Sequence, residues 1–373
     1  MKTSKFWLLV SVSCLLFSVS CMTACSLAPE LKNPIPKPPE KFKEAKDAIP
    51  LKKAEPSDHQ DRGKWWKIFG DERLNKLEED AIEANQSIKA AAARVKQARA
   101  EAGVARGGLF PDIGITGSAK SQGGTNAVFP GAASYRQEPI HLYTLNGTIS
   151  YEFDLLGKIS DSYLSALYLT QGQDATYKSL LLALQADVAQ SYFSIRLLDE
   201  QIRALKVTVK IREKASDYIK HQLDAGTSSE IDYTRVQAEM ATAKAELYAT
   251  EKQRANLEHA LATLLGKNPS EFSFEYSPLP ENQQPPSIPS GIPSKLLERR
   301  PDIAAAERSM AAANSRIGVA RTAFFPSISL TASGGSQSSD FPKLFQWISH
   351  TWAIGPSVNI PVFQGGSNFA NLD

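Results

Sequence analysis

GVARGGLFPDIGIT, Gly103 to Thr116, and GVARTAFFPSISLT, Gly318 to Thr331, are two spellings of one passage, with eight identities in fourteen positions at an offset of 215. The match extends upstream, where Ser-Ile-Lys-Ala-Ala-Ala at 87–92 lies over Asp-Ile-Ala-Ala-Ala-Glu at 302–307. A length of 373 residues allows two or three domains. A duplication of this period instead points to one body built in two halves. Within each copy the pattern changes character. Alanine-rich, helix-favouring sequence ends in a Pro, and alternation with a period of two begins at once.

Working outward from the first copy, residues 74–106 read as a helix bent near Asn85, with Leu74, Leu77, Ile82, Ile88, Val95 and Val104 as its larger apolar residues. Its many alanines suit close approach of a neighbouring helix. After Pro111, the residues Ile113, Ile115, Gly117 and Ala119 alternate with Asp112, Gly114, Thr116, Ser118 and Lys120. A Gly/Ser/Asn/Pro-rich loop leads to a second alternating run, with Tyr143, Leu145, Ile149, Tyr151 and Phe153 against Thr144, Asn146, Thr148, Ser150 and Glu152. Strands of about ten residues cross a tilted bilayer, and an aromatic-bounded apolar side opposite a polar side fits a barrel wall around water. Taken alone, a soluble hairpin with one wet face would look the same.

From Ser160 to Leu223 there is no break, which predicts a helix of about 95 Å at 1.5 Å per residue. Leu181, Leu184, Val188, Ile195, Leu198, Ile202, Leu205 and Val209 recur at spacings of three, four or seven, the seam of a coiled coil. Gly226 breaks the helix, Ser229 is placed to cap a new one, and a second helix runs to Leu265. The pair predicts an antiparallel hairpin with its tip at 224–232.

The second copy replays the first. Ile328, Leu330 and Ala332 alternate with Ser327, Ser329, Thr331 and Ser333. A fourth run sets Trp352, Ile354, Val358, Ile360 and Val362 against Ser357 and Asn359, in register with the second strand at an offset of 209 that places Gly366 over Gly157. No second long hairpin follows before Asp373, so the second repeat reads as incomplete.

Bulk properties narrow the function. A net charge of +2 with no basic face or aromatic-basic interleaving argues against a nucleic-acid partner. The five histidines do not cluster, and there is no HExxH, phosphate loop or Gly-x-Ser-x-Gly, so no enzyme, cofactor or metal site is expected. Glu78 and Glu79 read as a solvated helix face. The only cysteines are Cys14, Cys21 and Cys25, leaving the body free of thiols. Lys2 and Lys5 ahead of an apolar run from Phe6 to Val19 mark residues 1–24 as a signal peptide. Met22-Thr23-Ala24-Cys25 resembles a bacterial lipobox, with Cys25 as the lipid attachment residue; a conventional signal cleaved near Ala24 is the alternative. Residues 25–63 then form a Pro-rich tether, with seven prolines between Cys25 and Pro56. The first repeat occupies 64–277, opening on Trp65 and Trp66 as packing anchors. A Pro-rich connector spans 278–300, and the incomplete second repeat spans 301–373.

The lipobox, the proline tether, the WWxxFGDxxL opening at 65–74 and the twin GVAR-x₃-FP units around a helical hairpin together resemble TolC-like bacterial outer-membrane efflux channels of the NodT lipoprotein type. The resemblance covers Cys25 to Asp373. It implies an α+β membrane protein in which four strands per chain enter a shared transmembrane β-barrel and long coiled-coil helices lie in the periplasm. It further implies a homotrimer anchored in outer-membrane lipid that passively exports drugs, metals or other solutes. These would be handed over by an inner-membrane pump through a periplasmic adaptor.

The lumen is then expected to be lined by Thr116, Ser118, Thr148, Ser150, Ser329 and Ser357. Gly226, Thr227 and Asp232 match the family's adaptor and aperture tip, where Asp232 would join an ion-pair lock between protomers, although a helix N-terminal carboxylate explains it as well. Arg106, Phe110, Pro111, Arg321, Phe325 and Pro326 form the helix–strand joints, with the arginines facing headgroups, pairing locally or serving as helix C-terminal charges. The physics agrees with assembly, because four strands cannot close a membrane barrel and an open edge in lipid is prohibitive. A competing reading is a non-conducting envelope lipoprotein, or a truncated product that only binds partners through its hairpin. The four alternating strands tell the two apart.

Overall fold

The computed structural model describes residues 26–31, 63–123, 139–279, 286, 297 and 299–373. The leader and Cys25 lie outside them. The chain divides into two compact units, one drawn from residues up to 34, 97–171 and 307–373, the other from 35–96 and 172–306. These units cut across the two sequence repeats, because each takes parts of both.

The first unit contains the strands β1 (Asp112–Gln122), β2 (Ile140–Glu152), β3 (Ser327–Ser338) and β4 (His350–Asn359), in one antiparallel sheet of that order. Registers such as Thr116↔Asn146, Thr148↔Ser333 and Ser329↔Ser357 follow the period-two pattern through all four strands. β4 stops at Asn359, so Ile360 and Val362, read from sequence as part of the strand, fall beyond it. The helices supplying this unit are the C-terminal part of α2 (Gln86–Gly107), the start of α3 (Lys158–Asp224), most of α5 (Pro301–Thr322) and the short α6 (Ser367–Leu372). Here alanine does what its size allows. Ala102, Ala311 and Ala312 are buried, and backbones come close enough for Thr170 Oγ1 to donate to Ala98 O at 2.9 Å and Ser165 Oγ to Ala312 O at 3.0 Å. Among the described residues no helix is long and apolar enough to cross a membrane.

The second unit has a side-chain core. A 3-10 turn at Trp65–Phe69 buries Trp66 against Leu74, Ala189 and Tyr192, as expected of a packing anchor. α1 (Glu72–Ala84) starts at Asp71, whose carboxylate accepts from Arg73 N and Leu74 N. The helix expected over 74–106 is broken rather than bent at Asn85. That residue is extended, its N–H closes α1 on Ala81 O, and its side-chain oxygen receives Ser87 N and Ile88 N to open α2.

α3 and α4 (Glu230–Leu264) run antiparallel. Successive cross-links pair Asp199 with Arg254, Lys206 with Glu251, and Arg212 with Glu239, so the numbers rise on one helix as they fall on the other. The seam read from sequence is the buried one. Leu184, Val188, Ile195, Leu198, Ile202 and Val209 are all buried, the last packed with Ala243 and Leu247.

One reading is overturned. Glu79 is solvated and pairs with Lys64, but Glu78 is fully buried with neither carboxylate oxygen partnered. The reason is helical phase. Glu78 lies four residues after Leu74 and three before Ala81, both completely buried, so it shares their stripe. Burial raises its pKa from 4.5 to about 8.

Candidate functional site

The sheet presents two chemically distinct faces. In a straight antiparallel register, residues directly opposite each other point to the same side. Thr116, Ser118, Thr148, Ser150, Ser329 and Ser357 therefore fall on one face, joined by Asn146, Thr331, Ser333 and Asn359. Ser329 Oγ and Ser357 Oγ meet at 2.7 Å across β3 and β4, and Thr116 Oγ1 donates to Asn146 O at 3.4 Å. The other face carries Ile113, Ile115, Leu145, Ile149, Trp352 and Ile354. Ile115 and Trp352 are 80% and 81% exposed, so large apolar side chains stand in the open along this face, as at a site that meets lipid or another protein. An apolar face of this kind is stable in lipid, and a hydroxyl and amide face in water.

The two joints between helix and strand are structural copies. In the first, Gly108, Leu109 and Phe110 donate backbone N–H to Ala105, Arg106 and Gly107 carbonyls; in the second, Ala323, Phe324 and Phe325 donate to Ala320, Arg321 and Thr322. Each is a tightening of the last helical turn, followed by Pro111 or Pro326, which cannot continue a helix, and then by the first residue of a strand. Phe110 and Phe325 are both exposed. The return from β2 to α3 uses Gly157 at φ +78°, and its counterpart Gly366 before α6 has φ +85°. Asp154 caps α3, accepting from Ile159 N and Ser160 N at 2.9 and 2.8 Å.

The surroundings of the joints differ. Arg106 is exposed, whereas Arg321 Nη1 donates to Leu27 O at 3.0 Å, so of the roles open to it from sequence the second arginine pairs locally. Leu27 belongs to the Pro-rich tether read from sequence, a reading that named no residue for it to pack against. Residues 26–29 lie on a cradle made by the start of α3 and by α5. Ser26 Oγ donates to both carboxylate oxygens of Asp161 at 2.8 and 2.9 Å, and Asn314 Nδ2 donates to Pro29 O at 2.8 Å. Gly318 makes room for this packing, since a Cβ there would meet Asp161 Oδ2 at 2.3 Å and Ala28 N at 3.0 Å. The Asp161 carboxyl is 1% exposed and is pushed up by burial, against the Ser26 hydroxyl that lowers it and with a smaller upward contribution from Asp154. The glycine of GVAR was the one available signal. Nothing in the sequence said that the chain next to Cys25 would cover it.

At the hairpin tip, Gly226 has φ +72°. Its N–H bonds Leu223 O while Thr227 N bonds Gln222 O, which closes α3 in the two-bond form that favours glycine. Thr227 Oγ1 adds a bond to the same Gln222 carbonyl at 3.0 Å. Ser229 caps α4, accepting from Asp232 N at 3.2 Å while its hydroxyl donates to Asp232 Oδ2 at 2.6 Å. The tip residues are thus brought together by local backbone chemistry. Cys25 lies outside the described residues. Among the described residues no group of three or more His, Cys, Asp or Glu gathers to hold a metal.

Comparison with known proteins agrees with these features. Residues 77–267 and 292–373 match the model of the outer membrane efflux protein family. The chain is similar to the cation efflux system protein CusC of Escherichia coli O6:H1, at 28% identity over 359 residues covering 94% of this chain and 74% of that protein. It is similar to the probable outer membrane lipoprotein SilC of Salmonella typhimurium, at 29% identity over 367 residues covering 98% and 76%. Among solved structures it resembles the outer-membrane channel OprN, with a TM-score of 0.80 at 27% identity, covering 93% of this chain and 76% of that one.

Proposed function

Since the chain belongs to the outer membrane efflux protein family, a family of channel proteins, we propose that its four strands are one share of a transmembrane barrel completed by a homotrimer. It is an outer-membrane channel subunit of an efflux system that exports metals or drugs. Cargo would arrive from an inner-membrane pump through a periplasmic adaptor that meets the tip at Gly226, Thr227 and Asp232. Cys25 would carry the acyl chains, which hold the N-terminus in the membrane at about 0.8 kcal/mol per buried methylene. The joints, with Phe110, Pro111, Phe325 and Pro326, would lie at the membrane interface, where aromatic residues are favoured.

The observation that carries this reading is the partition of the sheet through four strands in register, with serine, threonine and asparagine predominating on one face, where Ile140 and Leu142 interrupt them near one end, and isoleucine, leucine and tryptophan predominating on the other. Thr116, Ser118, Thr148, Ser150, Ser329 and Ser357 would line the lumen. Neutral hydroxyls hydrogen-bond weakly and exchangeably with water, so solutes pass without being held. Choice of cargo then falls to the pump. The test is reconstitution of the full lipidated chain in planar bilayers. Stable conductance with weak ion selectivity, lowered by Ser357→Trp, is expected. A water-soluble monomer that neither floats with outer-membrane vesicles nor conducts would overturn the reading.

A further inference from the structure

The apolar face of the sheet is not level. One row across the four strands reads Ile115, Gly147, Gly334, Trp352, so two large exposed side chains stand on either side of two residues that have none. The row nearer the joints reads Ile113, Ile149, Ala332, Ile354, and the depression continues over Ala332. Ile113, Ile115, Ile149, Gly147, Ala332 and Gly334 line an apolar groove of about 260 Å³.

The backbone requires neither glycine on its floor. Neither has a positive φ. A Cβ on Gly334 would meet nothing within 4 Å, and one on Gly147 would come no nearer than 3.6 Å, to Gly334 O. Gly335 is the contrast, since a Cβ there would stand 2.1 Å from Leu145 O. Glycine weakens a strand interior, and where it is not needed for a bend it marks a place that something approaches closely. At Gly335 that neighbour is β2. At Gly147 and Gly334 the described residues supply none.

The second observation is where the N-terminal segment is held. It is gripped by the return that leaves β2 and by the helix that enters β3, the two strands that carry the floor glycines. A Cβ on Gly157 would stand 2.9 Å from Ser26 Cα, Ser26 Oγ donates to Asp161, and Arg321 Nη1 donates to Leu27 O. Phe153 N donates to Ile328 O at 2.9 Å, so β2 and β3 are joined down to that level. Gly366, the counterpart of Gly157 in the second repeat, has no such neighbour, because a Cβ there would meet nothing within 4 Å. Cys25 is the residue before Ser26.

We propose that the groove seats an acyl chain carried by Cys25, so that this lipid lies on the wall of its own chain along β2 and β3. The inference rests on the channel reading and on acylation of Cys25 within it. The lengths agree. Ile149 and Gly147 lie three and five residues along β2 from its last residue, Glu152, or about 10 and 17 Å at 3.4 Å per residue. A strand tilt of about 45° makes these depths about 7 and 12 Å, and an acyl chain reaches about 15 Å, half the hydrocarbon core. Lipid surrounds the groove whatever fills it, so the gain is close packing against the glycine floor and isoleucine walls rather than escape from water. A free lipid would give up lateral freedom to lie there. A chain fixed beside Ser26 has already given it up.

Cells fed a diazirine-bearing fatty acid would build it into the acyl chains of Cys25 and into membrane phospholipid, and light would join each chain to what it touches. Peptide mass spectrometry of the full lipidated chain separates the two sources. A chain on Cys25 joins two peptides of the protein, whereas a phospholipid adds its own mass to one. Adducts joined to Cys25 are expected to concentrate on residues 113–115, 147–149 and 332–334. Gly334→Trp, which fills the groove from a position with room for a side chain, is expected to lower them at least severalfold. Ala119→Trp, on the same face two rows beyond Ile115, is expected to leave the map as it was. Asp161→Ala, which releases Ser26, is expected to scatter the adducts over the apolar face. Phospholipid alone on the groove peptides, or Cys25 adducts that Gly334→Trp does not move, would overturn the proposal and leave the channel standing. Absence of label from Cys25 would overturn its acylation and the proposal with it. A chain that neither floats with outer-membrane vesicles nor conducts would overturn the channel reading itself.

Discussion

The sheet and the helical hairpin solve opposite problems. Among the described residues the sheet is a single layer whose side chains are mostly exposed, so its chemistry is written in alternation that requires only a period of two to read. The hairpin carries its own core, and inside that core stand charges. Asp199 is fully buried, accepting Arg254 Nε at 2.6 Å and Ser277 N at 2.8 Å. Arg196, 8% exposed, binds Asp71 at 2.7 Å and the carbonyls of Ser277 and Pro278. These two clusters fasten the segment leaving α4 to α3. The environment of the sheet is external and uniform, whereas that of the hairpin is built residue by residue. A mutation should therefore act through solvent on the first and through lost partners on the second.

The largest contrast is expected at Asp199. Asp199→Ala leaves Arg254 sharing its charge with Glu258 alone and strands Ser277 N, which should cost about 3–5 kcal/mol, the usual result of removing one member of a buried pair. Thermal unfolding in detergent would show it as a large drop in midpoint, and an unchanged midpoint would mean that the cluster is solvated. In the sheet the matching experiment is a lysine on either face. Ile115→Lys, on the apolar side, should cost about 2–4 kcal/mol of insertion near mid-membrane. Thr116→Lys, one residue along and on the other face, should insert normally and shift ion selectivity instead. Equal insertion defects would abolish the assignment of faces.

The same contrast explains what the sequence could and could not disclose. All six residues assigned to the polar face from alternation lie on one face, because β pairing copies a period of two faithfully from strand to strand. The seam of the hairpin was legible from its heptads for a similar reason. Glu78 was not. Its neighbour Glu79 is also a glutamate, and only helical phase relative to Leu74 and Ala81 separates the buried one from the solvated one. The cradle for Ser26 was invisible because it joins residues 135 positions apart, and no periodicity reports such a contact.

Glu78 gives a pH test confined to the hairpin unit. Its folded pKa, raised to about 8 from 4.5, means that folding takes up a proton between those values. The stabilising effect of the neutral carboxyl is complete below about pH 4.5 and is lost as pH rises through 8. The chain should lose about 2 kcal/mol between pH 5 and pH 7 through this residue. Glu78→Gln, which cannot titrate, should flatten that slope in a urea or thermal series, and a slope unchanged by the substitution would show that water reaches the carboxyl in the native state.

The smallest folding effect is expected at the tip, where it sharpens the comparison most. Ser229 and Asp232 already satisfy each other within one chain, so a purely local role predicts that Ser229→Ala costs about 1 kcal/mol through loss of the cap. Asp232→Asn should then cost less, since the amide oxygen still accepts the Ser229 hydroxyl and only the favourable interaction of a charge with the helix N-terminus is lost. A lock between protomers predicts a different pattern. Asp232→Asn would leave the unfolding midpoint within about 0.5 kcal/mol of the parent yet raise the conductance of the reconstituted channel severalfold, while Ser229→Ala would do the reverse. Conductance that tracks stability across both variants would assign Asp232 to the helix alone, and conductance that departs from it would assign the carboxylate to the aperture.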